Sequence, residues 1–306
     1  MMQKFKVSIF ILTYNQEKYI SQTLKSILTQ KTDFDFQLVI GEDCSTDSTR
    51  LICEKFALNN PEKIKLLPLL DNNIGLIKNY IRTIRECDGK YIAICDGDDY
   101  WIDEKKLQKQ VDFLENNPQF SIIYTSIELL FKDGSKKKWF PIINKADTQF
   151  EDLVFGNHIP SVSSMFRNIQ NYNNKFPSWI LKYPFGDWPT YLWTIKNGGQ
   201  IHFLDEVTAV YRIDAGISSE MRRINSNIVK ININILQDIL NDNEFVSKKE
   251  VVTQAIKNLN KGLVSRYNRE RKYYMGFIQF LKNTKHMGSN FSDFKMYFYS
   301  IYKSLI

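Results

Sequence analysis

An α/β fold with a mostly parallel sheet flanked by helices, and a helical C-terminal extension, is predicted by three features of the 306-residue chain. Apolar runs alternate with amphipathic stretches through the first 100 residues, as in a parallel sheet with crossover helices. The composition, 43% hydrophobic and 25% charged, is that of a globular chain with no low-complexity bias. After Ser218 the spacing turns helical almost to the end.

In chain order, the apolar runs Val7 to Tyr14, Phe36 to Glu42, Ile64 to Leu70 and Tyr91 to Cys95 read as strands. Helical spacing lies between them at Tyr19 to Leu28, Ser48 to Leu58 and Leu76 to Cys87, with Ser45 or Asp47 as candidate cap of the second helix. Lys105 to Asn117 places Leu107, Val111 and Leu114 on one face and reads as a helix ended by Pro118. A strand from Ser121 to Phe131 turns at Asp133-Gly134, and Lys136-Lys137-Lys138 reads as a solvated hairpin tip. Residues 136–185 are mixed. A short helix from Trp188 to Lys196 stops at Gly198-Gly199, and Ile201 to Ile213 alternates like a strand. Ile224 to Leu240 and Lys249 to Leu281 are helical, followed by Phe291, Phe294, Tyr297, Phe298, Ile301 and Leu305 at helical spacing, with Lys295 and Lys303 nearby.

Composition also excludes several classes. Cys44, Cys53, Cys87 and Cys95 form no CxxC pair and no ligand spacing with His158, His202 or His286, so a reducing compartment is expected and a zinc site is not. The amino-terminal apolar run passes into NQEKY without a small-residue cleavage site and reads as a strand, and no stretch reaches the roughly 18–20 apolar residues of a membrane span. Charge is uneven: residues 1–220 carry 26 Lys/Arg against 28 Asp/Glu, and residues 221–306 carry 15 against 6. The basic tail therefore faces something anionic: a bilayer, an acidic partner or nucleic acid. No nucleic-acid-binding motif accompanies it, so nucleic acid is not the expected partner.

In a doubly wound sheet, ligands bind beyond the carboxyl ends of the strands, where strand order reverses. Here those ends are Thr13-Tyr14-Asn15-Gln16, Glu42-Asp43-Cys44-Ser45-Thr46-Asp47 and Asp96-Gly97-Asp98-Asp99. No GxGxxG follows the first strand and no GxxxxGK[ST] occurs, so neither dinucleotide-fingerprint nor P-loop phosphate binding is indicated. Two carboxylates on one short turn suit a hard divalent cation, Mg²⁺ or Mn²⁺, between protein and phosphate; the competing reading is a solvated acidic turn.

The segments VSIFILTYNQEKYISQTLKSILTQ, VIGEDCSTDST, DNNIGLIKNY and YIAICDGDDYWIDEKKLQKQVDFLENNP, spanning about residues 5–118, resemble the successive signatures of family 2 glycosyltransferases with the GT-A (Rossmann-like) fold. Fainter similarity continues through Phe185–Pro189 and Tyr211–Ser219. The resemblance implies inverting transfer of a sugar from a nucleotide-diphosphate donor, UDP by family habit, to a hydroxyl of a glycan or lipid-linked saccharide. It implies that Thr13, Tyr14, Asn15 and Asp43 meet the base, that Asn73, Gly75, Lys78 and Asn79 lie near the nucleotide, that Asp96 is near ribose, that Asp98 holds the metal, and that Asp187 is the general base. Asp214 stands where many relatives carry a His reaching the metal or diphosphate; it is a candidate metal ligand or a turn residue before Gly216. Lys78 stands where relatives often have Arg, and Cys44 where they usually have Gly.

These roles cohere, since a metal stabilises charge on the leaving diphosphate and a carboxylate must take the acceptor's proton. Asp187 has a bland alternative, capping the helix that follows. Trp101 and Trp188 are candidates for core packing, with an acceptor cleft as the alternative for Trp188. A nucleotidyltransferase acting on a sugar phosphate would also need carboxylates and a cation, but TYNQEKY lacks its glycine-rich basic loop. The domains expected are 1–218, with a nucleotide-binding half 1–118 and an acceptor-side half 119–218, and a helical region 219–306. The tail's aromatic stripe either packs on the catalytic domain or lies on an anionic bilayer, making the protein cytoplasmic with peripheral attachment to the inner membrane face.

Overall fold

The structure is a computed structural model that describes residues 5–141, 143, 145–172, 176–213, 225–287 and 291–305. The chain divides into two compact units, Met1–Leu153 with Asn157–Ile217, and Val154–Gly156 with Ser218–Ile306.

The first unit opens with β1 (Val7–Thr13), α1 (Ile20–Leu28), β2 (Phe36–Glu42), α2 (Thr49–Asn59), β3 (Ile64–Leu66), α3 (Leu76–Ile84) and β4 (Tyr91–Ile94). β5 (Tyr100–Trp101), α4 (Lys106–Asn116), β6 (Phe120–Leu130), β7 (Lys136–Lys138), β8 (Asp147–Thr148) and α5 (Phe150–Leu153) follow. β9 (Met165–Arg167), α6 (Asp187–Thr194) and β10 (Gln200–Arg212) complete it. The sheet runs β3-β2-β1-β4-β9-β6-β10-β5, with β7 on β6 and β8 on β10. β3, β2, β1 and β4 are parallel, β9 is antiparallel to β4 and β6, and β10 returns parallel to β6.

Every residue of β1 and β2 is buried, which is why both read as continuous apolar runs and not as alternation: a strand covered on both faces has no solvent side. Helix α1 turns Ile20, Leu24 and Ile27 inward, and α4 turns Leu107, Val111 and Leu114 inward. Each such side chain contributes on the order of 1.5–3 kcal/mol by leaving water. Gly41 lets α3 sit hard against β2, because a Cβ there would come within 1.8 Å of Thr83 Oγ1. Strand order reverses between β1 and β4, and the polar strand ends lie at that reversal.

Some local expectations change. Ser48, not Ser45 or Asp47, occupies the N-cap position of α2 and makes no side-chain cap; Asp47 acts one residue earlier, accepting from Thr49 N at 2.9 Å. Trp101 and Trp188 are both buried, their indoles donating to Val162 O and Leu153 O at 2.9 Å, so neither side chain lines an open cleft. Lys136–Lys138 is exposed as expected, but it is the returning strand β7 of the hairpin and not its tip, paired antiparallel with Glu128–Leu130.

The second unit is helical: α7 (Ser226–Asn241), α8 (Lys249–Arg269), α9 (Tyr273–Met287) and α10 (Phe291–Leu305). Asn225 caps α7, accepting from Asn227 N and Ile228 N. Val229, Ile233, Leu263 and Tyr267 form a small core between α7 and α8. The helical stretch expected from Lys249 to Leu281 breaks between Arg269 and Tyr273, where Arg271 takes a φ of 59°. Along the tail stripe Phe291, Phe294, Phe298 and Leu305 are exposed; on the preceding helix Phe280 is buried, while Phe277 and Leu281 are exposed. No helix among the described residues is long and apolar enough to cross a membrane.

Candidate active site

The loops after β1 and β2 are buckled together. Asn15 N donates to Ser45 Oγ at 2.9 Å, and Asn15 Oδ1 accepts from Thr46 N at 2.8 Å. Gln16 N donates to Thr49 Oγ1 at 2.7 Å, while Glu17 N reaches Asp47 and Ser48 N reaches Glu17. Both loops leave their strands through left-handed residues, Asn15 at φ 52° and Cys44 at φ 57°. Asn adopts that region readily; Cys does so at a cost of about 1–3 kcal/mol, and the Gly usual there in the resembled family would avoid it. Thr13 is buried, Tyr14 half-buried and Asn15 exposed, so the three predicted base-contacting residues step outward from the sheet.

Asp43 anchors the loop before α3. Its carboxylate accepts from Ile74 N at 2.9 Å, Gly75 N at 3.0 Å and Asn73 Nδ2 at 3.0 Å. Burial raises its carboxyl above the usual carboxylate range, and the Ile74 and Gly75 amides pull the other way. The predicted nucleotide residues Asp43 and Asn73 are thus brought into contact, with Asp43 doing positional work that spacing alone did not reveal. Gly75, at φ 85°, starts α3; Lys78 stands exposed on that helix, and Asn79 is buried with its amide on Gly41 O at 2.7 Å.

The acidic turn after β4 is fixed from three sides. Thr23 Oγ1 lies 2.9 Å from Gly97 O and 2.6 Å from Asp99 O. Arg212 N donates to Asp99 Oδ1 at 2.8 Å, and the Arg212 guanidinium donates to Asp98 O and to Gln22 Oε1. That guanidinium sits over the rings of Tyr19 and Tyr100, 4.8 and 4.7 Å from their centroids. Gly97 has no room for a side chain: a Cβ there would lie 2.4 Å from Gln16 Oε1 and 2.7 Å from Thr13 Oγ1. Asp98 and Asp99 are buried, and Asp96 is half-buried at the mouth of the turn.

Asp187 is the first residue of α6, an acid in its first turn with Gly186 at the N-cap. Its carboxylate accepts from Asn157 Nδ2 at 2.9 Å. Gly186 packs on the ring of Tyr80, whose hydroxyl bonds Thr190 Oγ1 at 3.1 Å. Tyr80 and Tyr191 are fully buried, and burial pushes both phenols up; the charges of Asp187 and Asp96 each push both further. Two acids 91 positions apart in sequence therefore act on the same pair of rings.

Among the described residues no cluster of three or more His, Cys, Asp or Glu side chains is arranged to hold a metal. Asp96 and Asp98 offer hard oxygens on a braced turn, which fits an ion of the Mg²⁺ or Mn²⁺ kind that takes one or two carboxylates and completes its shell with water and phosphate oxygen. Asp214 lies outside the described residues. Sequence reasoning missed Asn157 and Arg212 as site residues. Asn157 carries no signal in a stretch without periodicity, whereas Arg212 in YRID was visible but had no assigned partner.

The family model described as "Glycosyl transferase family 2" matches residues 8–172, more than half of the chain. An uncharacterised protein of Mycobacterium tuberculosis is 32% identical over 207 residues, 67% of this chain; the match spans 58% of that relative's length. Staphylococcus aureus TarS (residues 1–349), solved in complex with UDP-GlcNAc, superposes with a TM-score of 0.64 at 18% identity, covering 97% of this chain and 91% of that one. The mannosyltransferase PcManGT of Pyrobaculum calidifontis, solved with GDP-Man and Mn²⁺, gives a TM-score of 0.61 at 14% identity, covering 100% and 82%. At these identities the likeness is one of fold: the sheet is the GT-A fold that the family resemblance implied.

Proposed function

Because the chain belongs to glycosyl transferase family 2, we propose that it transfers a hexosyl or N-acetylhexosaminyl group, with inversion, from a UDP-sugar to a hydroxyl of a glycan or lipid-linked saccharide. The observation that carries this reading is that Asp96 at a strand end and Asp187, 91 positions away, both act on the buried phenols of Tyr80 and Tyr191. In this reading Asp96 serves the nucleotide side and Asp187 the acceptor side.

In this reading residues 1–118 hold the nucleotide and residues 119–218 the acceptor. Thr13, Tyr14 and Asn15 line the base pocket, closed by the loop that Asp43 and Asn73 hold together; Lys78 offers its ammonium near the nucleotide, and Asp96 receives ribose hydroxyls. Asp98 would hold Mn²⁺ or Mg²⁺, which supplies Lewis-acid stabilisation of charge on the leaving diphosphate. Arg212 keeps the Asp98 backbone and the Asp99 carboxylate in register, so the turn need not reorganise during reaction. Asp187 takes the acceptor proton as the hydroxyl attacks, and Asn157 orients its carboxylate without giving it a proton. The nucleotide preference rests on the UDP-GlcNAc bound in TarS, and GDP-Man in PcManGT is the competing donor.

The test is a panel of UDP-, GDP- and dTDP-sugars with Mg²⁺ or Mn²⁺, scored by thermal shift and by slow donor hydrolysis. The expected result is metal-dependent stabilisation by a UDP-sugar and release of UDP. Formation of UTP and sugar 1-phosphate from the UDP-sugar once pyrophosphate is added would instead indicate nucleotidyl transfer, and no response to any nucleotide sugar would remove the reading.

A further inference from the structure

Helix α10 packs a mixed stripe inward and still leaves apolar side chains outside. On the inward side Asp293 pairs with Lys261 at 2.9 Å, Ser300 Oγ accepts from Asn268 Nδ2 at 2.8 Å, Ser304 Oγ meets Tyr273 Oη at 3.0 Å, and Phe294 meets Phe280 edge-on with centroids 5.1 Å apart. Tyr297, on the same side, stacks on Phe280 with centroids 4.8 Å apart. The opposite stripe is aromatic and aliphatic and lies in solvent: Phe291 is 86% exposed, Phe298 64%, Tyr302 60% and Leu305 70%. Their spacing of seven, four and three residues keeps them on one face of an α-helix. A helix packed in a globular unit ordinarily turns that stripe inward, and a contiguous exposed apolar stripe marks an interaction surface.

Charge selects the occupant. Asp293, the acid of α10, is on the packed side, while Lys295 and Lys303 are exposed along the helix. Residues 221–306 as a whole carry 15 basic against 6 acidic side chains. A second copy of this chain would set one basic face against another. A bilayer interface with anionic headgroups offers apolar depth to the aromatic side chains and counter-charge to the lysines.

We propose that the outward face of α10 docks on an anionic bilayer surface, lying in the interface without spanning it. The inference stands on the helical unit alone and holds whichever donor the first unit uses.

The test is co-sedimentation of the full chain with vesicles of phosphatidylcholine, alone or with about a third phosphatidylglycerol. Anionic vesicles are expected to bind at least about tenfold more protein, since each lysine near the surface is worth about 1 kcal/mol, roughly fivefold in partitioning. Phe291→Ser/Phe298→Ser/Tyr302→Ser should lower that partitioning at least about tenfold while leaving the Tm and far-ultraviolet circular dichroism unchanged. Lys295→Gln/Lys303→Gln, which keeps the aromatic stripe, should lower it by about 25-fold, roughly fivefold for each lysine, and keep the fold. Sedimentation no greater with anionic than with neutral vesicles overturns the proposal. So does a concentration-dependent dimer, seen by light scattering, that the triple serine variant abolishes.

Discussion

At the strand ends of the first unit, Asp43 and Asp99 are buried acids whose carboxylates accept from backbone amides and, at Asp43, from Asn73, whereas α10 of the second unit buries Ser300 and leaves Phe291 and Phe298 in water. Both arrangements run against the simple rule of apolar inside and polar outside. A buried carboxylate is tolerable when donors surround it, and the donors here come from loops and from β10, so the burial also braces the rim. An exposed aromatic stripe has no such internal compensation. It gains its free energy only when something else covers it. The contrast separates a site organised for small charged ligands from a surface organised for an extended partner.

The largest effect is expected at Asp187. Asp187→Asn should lower turnover about a thousandfold, a typical loss for a general base, while donor Kd by titration stays within about twofold. Near-normal turnover would remove Asp187 from the chemistry and leave the rim as a binding site. Gly97→Ala pushes a methyl group against Thr13 and Gln16 and should cost about 1–3 kcal/mol with at least about tenfold weaker donor binding, read by chemical denaturation and calorimetry. Unchanged affinity would show that the acidic turn is not part of the nucleotide site. Asp43→Ala strips acceptors from Ile74 N, Gly75 N and Asn73 and should cost about 1–3 kcal/mol, raising KM for the donor more than it lowers kcat.

A buried cation sharpens the same contrast. Lys106 is fully enclosed, its ammonium bonded to Gln110 Oε1 at 2.8 Å and lying over the Trp101 ring, and burial lowers its pKa to about 7. Between that value and the ordinary lysine value near 10.5 the unfolded chain binds the extra proton, so stability rises with pH across that window and falls back as pH drops toward 7. Warming scans should show Tm at pH 9 above that at pH 7 by about 2–4 °C after correction for the rest of the chain, and Lys106→Met should abolish that increment. The smallest effect belongs to the outward stripe: Phe298→Ser should change unfolding free energy by no more than about 0.5 kcal/mol, because its side chain has little to lose in water. A loss of several kcal/mol would mean that the stripe is already covered within the chain.

Much of the frame was legible before any coordinates. Period and punctuation located β1, α1, β2, α2, α3, β4, α4, β6, α6 and β10 to within a few residues, since each is long enough or buried enough to impose its repeat. The strand-end position of Thr13–Asn15, Asp43 and Asp96–Asp98 followed from that order. The break between α8 and α9 was not legible, because Glu270 to Lys272 contain neither Gly nor Pro to announce it. The aromatic positions after Phe291 were legible as a stripe, but its facing was not: a repeat shows that a helix has two sides and is silent on which one finds a neighbour.

What the sequence determined by itself is therefore the alternation of strands and helices, the polar chemistry at the strand ends, and the basic, aromatic tail, because these depend on residue type and local period. What tertiary structure decided is which groups meet. Asn157 reaches Asp187 across 30 positions, and Arg212 reaches Asp98 and Asp99 across 114 and 113. Such contacts form only when sheet order and crossover helices carry distant segments to one rim, and no local repeat encodes that distance.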